Sequence, residues 1–212
     1  MSVRKVVTRR GRRIRGYFPS HKCGRMIAWE SLLERDAILL LEFSPGVVSY
    51  RHQPAVIDYS DGEQMRKYYP DFEAILVSGE VVHLEIKPEE ELRLPDVEAK
   101  YQLVAADYQR RQHRFRILTD ADIRIEPLLG NLKILFALRG KSAQSGFSVH
   151  AWRSLFGPAS VPFSVAEAEL GQAFLLRLLA NDSASCDLHQ PLAGDTVVTI
   201  NRGGEQNATC LF

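Results

Sequence analysis

Pro70-Asp71 and, fourteen residues on, Glu85-Ile86-Lys87 supply the residue types that phosphodiester hydrolysis uses. Carboxylates hold a divalent cation, which polarises the phosphate and activates a water. A lysine beside them stabilises negative charge as the bond breaks or helps to order the nucleophile. Glu34 is a further acid. It stands four and seven residues from Ile38 and Leu41, a position where a carboxylate needs a partner. Plainer roles fit the same residues. Asp71 and Lys87 also suit a cross-strand ion pair, and Ser31-x-x-Glu34 suits a capping box if a helix starts at Leu32. Glu73 reads as a spare acid, and Glu89 to Glu91 as a solvated turn.

Two strand-like runs must position this set. Tyr69 to Val77 and Val81 to Lys87 flank Ser78-Gly79-Glu80, a short hairpin loop with a glycine. If Val77 pairs with Val81, Asp71 lies opposite Lys87. Alternation then puts Asp71, Glu73, Glu85 and Lys87 on one face, with Phe72, Ala74, Leu76, Val82, Leu84 and Ile86 on the other.

The surrounding pattern predicts a buried helix from Trp29 to Phe43, stopped by Ser44-Pro45-Gly46. Strand-like stretches from Val47 to Ile57 are broken by Pro54, and Asp58 to Gly62 reads as a turn. Pro95 opens a helix with a stripe of Val97, Tyr101, Val104, Ala105 and Tyr108. Phe115 to Leu118 is a short strand, Thr119 and Asp122 a capping pair, and Leu128 to Leu138 a buried helix. Helices alternating with strands predict an α/β or α+β core whose helices cover a sheet.

Gly140 to Gly146 reads as a linker. After it, Ser164 and Glu167 suggest a capping box. It leads a helix that buries Leu170, Phe174, Leu175, Leu178 and Leu179, and Thr196 to Ile200 is a strand. The expected organisation is a basic arm over 1–25, a core domain over 26–140 and a small domain over 141–212.

The net charge of +1 over 212 residues conceals a division. Residues 1–25 hold nine of the 27 basic side chains and no acidic one, leaving 18 basic against 26 acidic residues in the remainder. So dense a block, with Arg9, Arg10, Arg12, Arg13 and Arg15 at its centre, suits phosphate contacts through counterion release. Near-neutral charge therefore does not exclude a nucleic-acid partner. The C-terminal piece is mildly acidic and suits a protein contact better than a DNA contact. Cys23, Cys186 and Cys210 are too dispersed for a disulfide framework or a zinc site, and His21 with Cys23 gives only two ligands. No run of 18 apolar residues suggests a membrane span, and no apolar stretch follows the arm as an export signal requires. A cytoplasmic setting is expected.

Longer motifs accompany these residues. They are Ser31-Leu32-Leu33-Glu34, the run Leu39 to Val48, Gln53-Pro54, Tyr69-Pro70-Asp71-Phe72 and Leu84-Glu85-Ile86-Lys87. Downstream come Phe115 to Asp120, Asp122-Ile123-Arg124, Pro127-Leu128-Leu129 and Asn131-Leu132. In this order, over roughly 29–140, they resemble the TnsA-type transposon endonuclease subunit. The resemblance implies a restriction-endonuclease-like fold of the PD-(D/E)xK superfamily, with a small C-terminal domain that is winged-helix-like in many members. It implies that Glu34, Asp71 and Glu85 hold Mg²⁺, for which Mn²⁺ can substitute, and that Lys87 assists the reaction. Some relatives have glutamine in place of Glu85. The implied activity is cleavage of double-stranded DNA on the 5′ side of transposon ends, for cut-and-paste transposition. A partner transposase would cut the 3′ side, and an ATP-dependent regulator would engage the C-terminal domain. Two other readings stay open: a restriction or repair nuclease of the same fold, and a non-catalytic adaptor joining DNA to protein.

Overall fold

The computed structural model describes residues 14–140, 147–157 and 160–201. In chain order, β1 (Gly16–Ser20) and β2 (Arg25–Trp29) form an antiparallel hairpin, followed by α1 (Leu32–Phe43) and β3 (Val47–His52). A second hairpin pairs β4 (Ile57–Ser60) with β5 (Met65–Tyr68). Next come β6 (Phe72–Leu76), β7 (Val81–Ile86), α2 (Glu89–Leu92), α3 (Pro95–Arg110), β8 (Arg114–Leu118) and α4 (Asp120–Ile123). The order closes with α5 (Leu128–Leu138), α6 (Val149–Phe156), β9 (Ser160–Pro162), α7 (Phe163–Leu170), α8 (Gln172–Ala180), β10 (Ala184–Cys186) and β11 (Val197–Ile200). Two compact units result. Among the described residues, one comprises 14–42 with Gly46–Arg124, the other Phe43–Pro45 with those from Ile125 to 201. Helix α5, grouped with the core on sequence, thus falls in the second unit.

The first unit is built on a mixed sheet ordered β3-β6-β7-β8. β3, β6 and β7 run antiparallel in turn, whereas β7 and β8 are parallel. A parallel pair needs a long crossover, and α2 with α3 supplies it. Phe72, Ala74, Leu76, Val82, Leu84 and Ile86 are all buried on one face, as their alternation predicts. Full burial of a side chain such as Leu84 or Phe72 contributes about 1.5–3 kcal/mol. Helix α1 lies on this side, where the Tyr50 hydroxyl of β3 donates to Glu42 Oε2 at 2.6 Å. On the other side Tyr101, Val104 and Tyr108 of α3 cluster with Tyr59 and Tyr68, with Phe115 and Ile117 packed against them. Ala105, expected in the helix stripe, is exposed, and Asp107 is buried instead.

Four local expectations are corrected. Trp29 ends β2 and does not enter α1. Asp58, Tyr59 and Ser60 belong to β4, and the turn falls later, where Asp61 Oδ1 accepts the N–H groups of Glu63 and Gln64. The β6–β7 register places Phe72 opposite Leu84, so Asp71 aligns with Glu85 and not with Lys87. The loop sets this shift. Leu76 N–H donates to Glu80 O at 2.9 Å, closing three loop residues that end in Gly79 at φ +84°, a conformation that favours glycine. A shift of two residues keeps every side chain on its predicted face. Finally, Ser164 lies inside α7, which begins at Phe163 without a side-chain cap. Gly171 at φ +77° divides the expected single helix into α7 and α8.

The capping pair at α4 is present in full: Thr119 Oγ1 accepts the Asp122 N–H, and Asp122 Oδ2 accepts the Thr119 N–H. In the second unit β9, β10 and β11 form an antiparallel sheet ordered β10-β11-β9. Trp152, Phe163, Leu175, Leu179 and Val198 are fully buried there. Asn131 of α5 donates through Nδ2 to Leu188 O and Gln190 O at 2.9 and 2.8 Å. Residues 141–146, most of the expected linker, lie outside the described residues, as does Cys210.

Candidate active site

Glu34 owes its place to the start of α1. Ser31 Oγ accepts the Glu34 N–H at 3.1 Å, and Glu34 Oε2 in turn accepts the Glu30 N–H at 2.8 Å. The carboxylate therefore reaches one residue further back than a standard capping box, and one oxygen is held by backbone. Its Oε1 has no protein hydrogen bond among the described residues.

Asp71 stands just before β6, where that strand meets the end of β7. Its Oδ2 accepts the Ile86 N–H at 2.8 Å, and its carbonyl accepts the Gln53 N–H at 2.8 Å. Again one carboxylate oxygen is pinned, and Oδ1 has no protein hydrogen bond among the described residues. Burial, then the nearby charges of Glu85 and Glu34, push the Asp71 carboxyl well above its ordinary pKa, against the Ile86 N–H and Lys87. Like charges crowd this aspartate, an arrangement that a cation would relieve.

Lys87 continues the β7–β8 ladder through its N–H, which donates to Leu118 O at 3.1 Å. Its ammonium lies 3.5 Å from Glu91 Oε2. Glu30, Glu34, Asp71, Ile86, Lys87 and Glu91 all line one cleft of about 450 Å³. Two of the expected acids and the lysine thus meet at a common opening.

Glu85 is set back from that opening. It is 5% exposed and does not line the cleft. Tyr68 OH donates to its Oε2 at 2.5 Å and Tyr101 OH to its Oε1. Lys100 covers both rings, with its ammonium 5.5 and 4.8 Å from the Tyr68 and Tyr101 ring centres. Burial raises the Glu85 carboxyl, opposed by the two tyrosine hydroxyls and by Lys87 and Lys100. Around Glu85 this face of the sheet is therefore covered by Tyr101 of α3 and by Tyr68.

Glu73 is drawn elsewhere. Arg51 donates to it through two nitrogens at 2.8 and 3.0 Å, and His83 Nε2 lies 3.2 Å away. Burial raises its carboxyl, but these hydrogen bonds outweigh that effect and hold it below the ordinary range. It lines a separate cavity of about 490 Å³ with His83, His113 and Arg114.

Of the expected arm, Arg9, Arg10, Arg12 and Arg13 lie outside the described residues. Arg15 is half-buried beside β1, and residues 16–25 form most of a hairpin rather than an extension. Lys22 donates from Nζ to Leu41 O and Val47 O, and Arg25 to Tyr50 O. The Cys23 thiol bonds both backbone groups of Tyr50, which gives it a structural role beside edge strand β3.

Sequence reasoning missed Tyr68, Tyr101 and His52 as neighbours of the acids. Tyr101 was visible only as a member of an apolar stripe. Tyr68 and His52 carried no signal beyond their positions before Tyr69-Pro70-Asp71 and Gln53-Pro54. Among the described residues no three His, Cys, Asp or Glu side chains group closely enough to enclose a metal ion. Two cleft acids, each with an oxygen that none of the described residues bonds, nevertheless fit Mg²⁺, which binds one or two carboxylates and fills its other positions with water and phosphate.

Residues 44–120 match the family described as TnsA-like endonuclease N terminal. A comparison with curated proteins finds no match. No helix among the described residues is long and apolar enough to cross a membrane.

Proposed function

We propose that the protein is the metal-dependent DNA endonuclease subunit of a heteromeric transposase, a reading supported by the match of residues 44–120 to the TnsA-like endonuclease N-terminal family. It cleaves the 5′ side of transposon ends. The observation that carries this reading is the meeting of Asp71 and Lys87, from the matched region, with Glu34 of the preceding helix α1 on one cleft.

Glu34, Asp71 and Glu85 are the acids assigned to Mg²⁺, or to Mn²⁺ in its place. Glu34 and Asp71 line the cleft, and Glu85 adds its charge from beneath, clamped by two tyrosines. When bound, the ion would withdraw charge from the scissile phosphate and from a water. The Ile86 N–H fixes one oxygen of Asp71, the Glu30 N–H fixes one of Glu34, and the other oxygens are left to the cleft. Lys87 places a positive charge where negative charge develops.

Arg9, Arg10, Arg12, Arg13 and Arg15 grip the DNA backbone. In the second unit, α6, β9, α7, α8, β10 and β11 follow in the order helix, strand, helix, helix, strand, strand. That order supports a winged-helix-like reading of this unit, which meets the partner transposase or an ATP-dependent regulator.

The test is cleavage of transposon-end DNA by the full protein set, with and without Mg²⁺, for the wild type and for Lys87→Ala. Metal-dependent cutting that the variant loses supports the reading. Equal cutting by both would overturn it in favour of an adaptor role. Specific cutting by the isolated chain would instead favour a restriction or repair nuclease.

A further inference from the structure

His52 is the last residue of β3 and is 6% exposed, yet neither Nδ1 nor Nε2 has a hydrogen-bond partner among the described residues. Its Nε2 lies 3.6 Å from Glu34 Oε2, just beyond hydrogen-bond reach. The ring stands edge-on to Phe72, with centres 5.4 Å apart and planes at 71°, so packing fixes its direction. The next residue repeats the anomaly. Gln53 is 5% exposed, its Oε1 has no partner among the described residues, and it holds φ at +41°, which non-glycine residues rarely adopt.

Buried polar groups normally find partners, and backbone strain persists only where surrounding structure enforces it. Here three departures fall on two adjacent residues, and those residues touch both cleft acids. His52 faces Glu34, and the Gln53 N–H donates to the carbonyl of Asp71. An idle strand end would accommodate an apolar side chain and a glycine with less cost.

We propose that His52 is a positioning residue for Glu34, its Nε2–H closing onto Oε2 when the cleft is loaded. This rests on the endonuclease reading above. The Glu30 N–H already holds Oε2 at 2.8 Å, and a second donor on the same oxygen locks the carboxylate's rotation. Oε1 is thereby kept for the cleft. Hydrogen bonds in unloaded active sites are often long and tighten on binding, so the 3.6 Å separation suits a contact completed by the ligand.

The experiment compares His52→Leu and His52→Gln in the full chain, with Asp71→Ala as control. One readout is the melting temperature with chelator and across a Mn²⁺ titration. The other is the Mn²⁺ concentration for half-maximal cleavage of transposon-end DNA with the partner proteins. Leucine removes the unbonded nitrogens, so His52→Leu should melt at or above the wild type in chelator. It should need roughly tenfold or more Mn²⁺ in both readouts, the usual effect of losing a partner behind a metal ligand. Glutamine returns an N–H near the place of Nε2 and should stay within about threefold of the wild type on the same scale. His52→Met provides the same comparison if the leucine variant fails to fold. An unchanged Mn²⁺ requirement in His52→Leu would overturn the proposal. Equal impairment in His52→Gln would too, since shape and not hydrogen bonding would then be what matters. If Asp71→Ala abolishes cleavage while His52→Leu changes nothing, this inference alone fails. If Asp71→Ala cuts normally, the endonuclease reading fails and takes the inference with it.

Discussion

Asp71 and Ile86 are joined by a 2.8 Å hydrogen bond from the Ile86 N–H to Asp71 Oδ2. The bond ties the aspartate to the residue between Glu85 and Lys87. It fixes the geometry of the acid without neutralising it. Burial and the charges of Glu85 and Glu34 still hold the Asp71 carboxyl well above its ordinary pKa.

That shift has a definite sign. A carboxyl whose pKa is raised by folding makes the folded chain bind more protons than the unfolded one, so stability falls as pH rises above about 4 toward the folded pKa. In chelator Asp71 should therefore lower the melting temperature increasingly over this window. Asp71→Asn keeps an oxygen to accept the Ile86 N–H but carries no charge. It should show a shallower pH slope and melt above the wild type at about pH 8, while losing cleavage. Thermal melts across pH measure this, and parallel slopes for the two proteins would contradict it.

The hydroxyls of Tyr68 and Tyr101 both donate to Glu85, and a hydrogen bond to a charged group contributes about 1.5–3 kcal/mol. Tyr68→Phe and Tyr101→Phe should each lose stability of that order in denaturant unfolding and should reduce cleavage. Both bonds serve one carboxylate, so the double variant should depart from additivity. Additive losses without any effect on cleavage would reduce the tyrosines to packing.

How much of this was legible depended on what each residue's neighbours are. Alternation assigned Phe72, Leu84 and Ile86 to one face and Asp71 and Glu85 to the other, and the faces survived a register error because it was even. The loop geometry that fixed the register depended on Gly79 taking a positive φ, which spacing alone did not reveal. Glu34 was legible as an acid in an apolar helix, and both its capping contact and its place on the cleft are found. The tyrosine clamp was not legible, because Tyr68 and Tyr101 are brought together only when α3 crosses the sheet. Glu73 was ambiguous for a similar reason, since Arg51 and His83 reach it from the two neighbouring strands.

Glu42 offers a test of the fold apart from the site. It is fully buried and accepts from Ser20 Oγ, the Lys22 N–H and Tyr50 OH at 2.7, 2.8 and 2.6 Å. This carboxylate fastens the β1–β2 hairpin and β3 to α1. Glu42→Ala should cost about 3–5 kcal/mol, as expected when buried donors lose a charged partner. Chemical denaturation would show it, and a loss below about 1 kcal/mol would contradict the assignment.

The basic arm calls for a truncation that respects the hairpin. Removing 1–25 would also remove β1, whereas removing 1–13 takes away Arg4, Lys5, Arg9, Arg10, Arg12 and Arg13 and leaves the hairpin whole. Each lost phosphate contact should flatten the dependence of log affinity on log salt by roughly 0.9. DNA binding measured across a salt series checks this, and an unchanged slope would assign the arm another role.

The most direct measurement of the central claim is strand-resolved mapping of cuts at a transposon end by the complete protein set, with wild type or Asp71→Ala. Asp71→Ala should lose the 5′-side cut and retain the partner's 3′-side cut. A normal 5′-side cut by Asp71→Ala would contradict it.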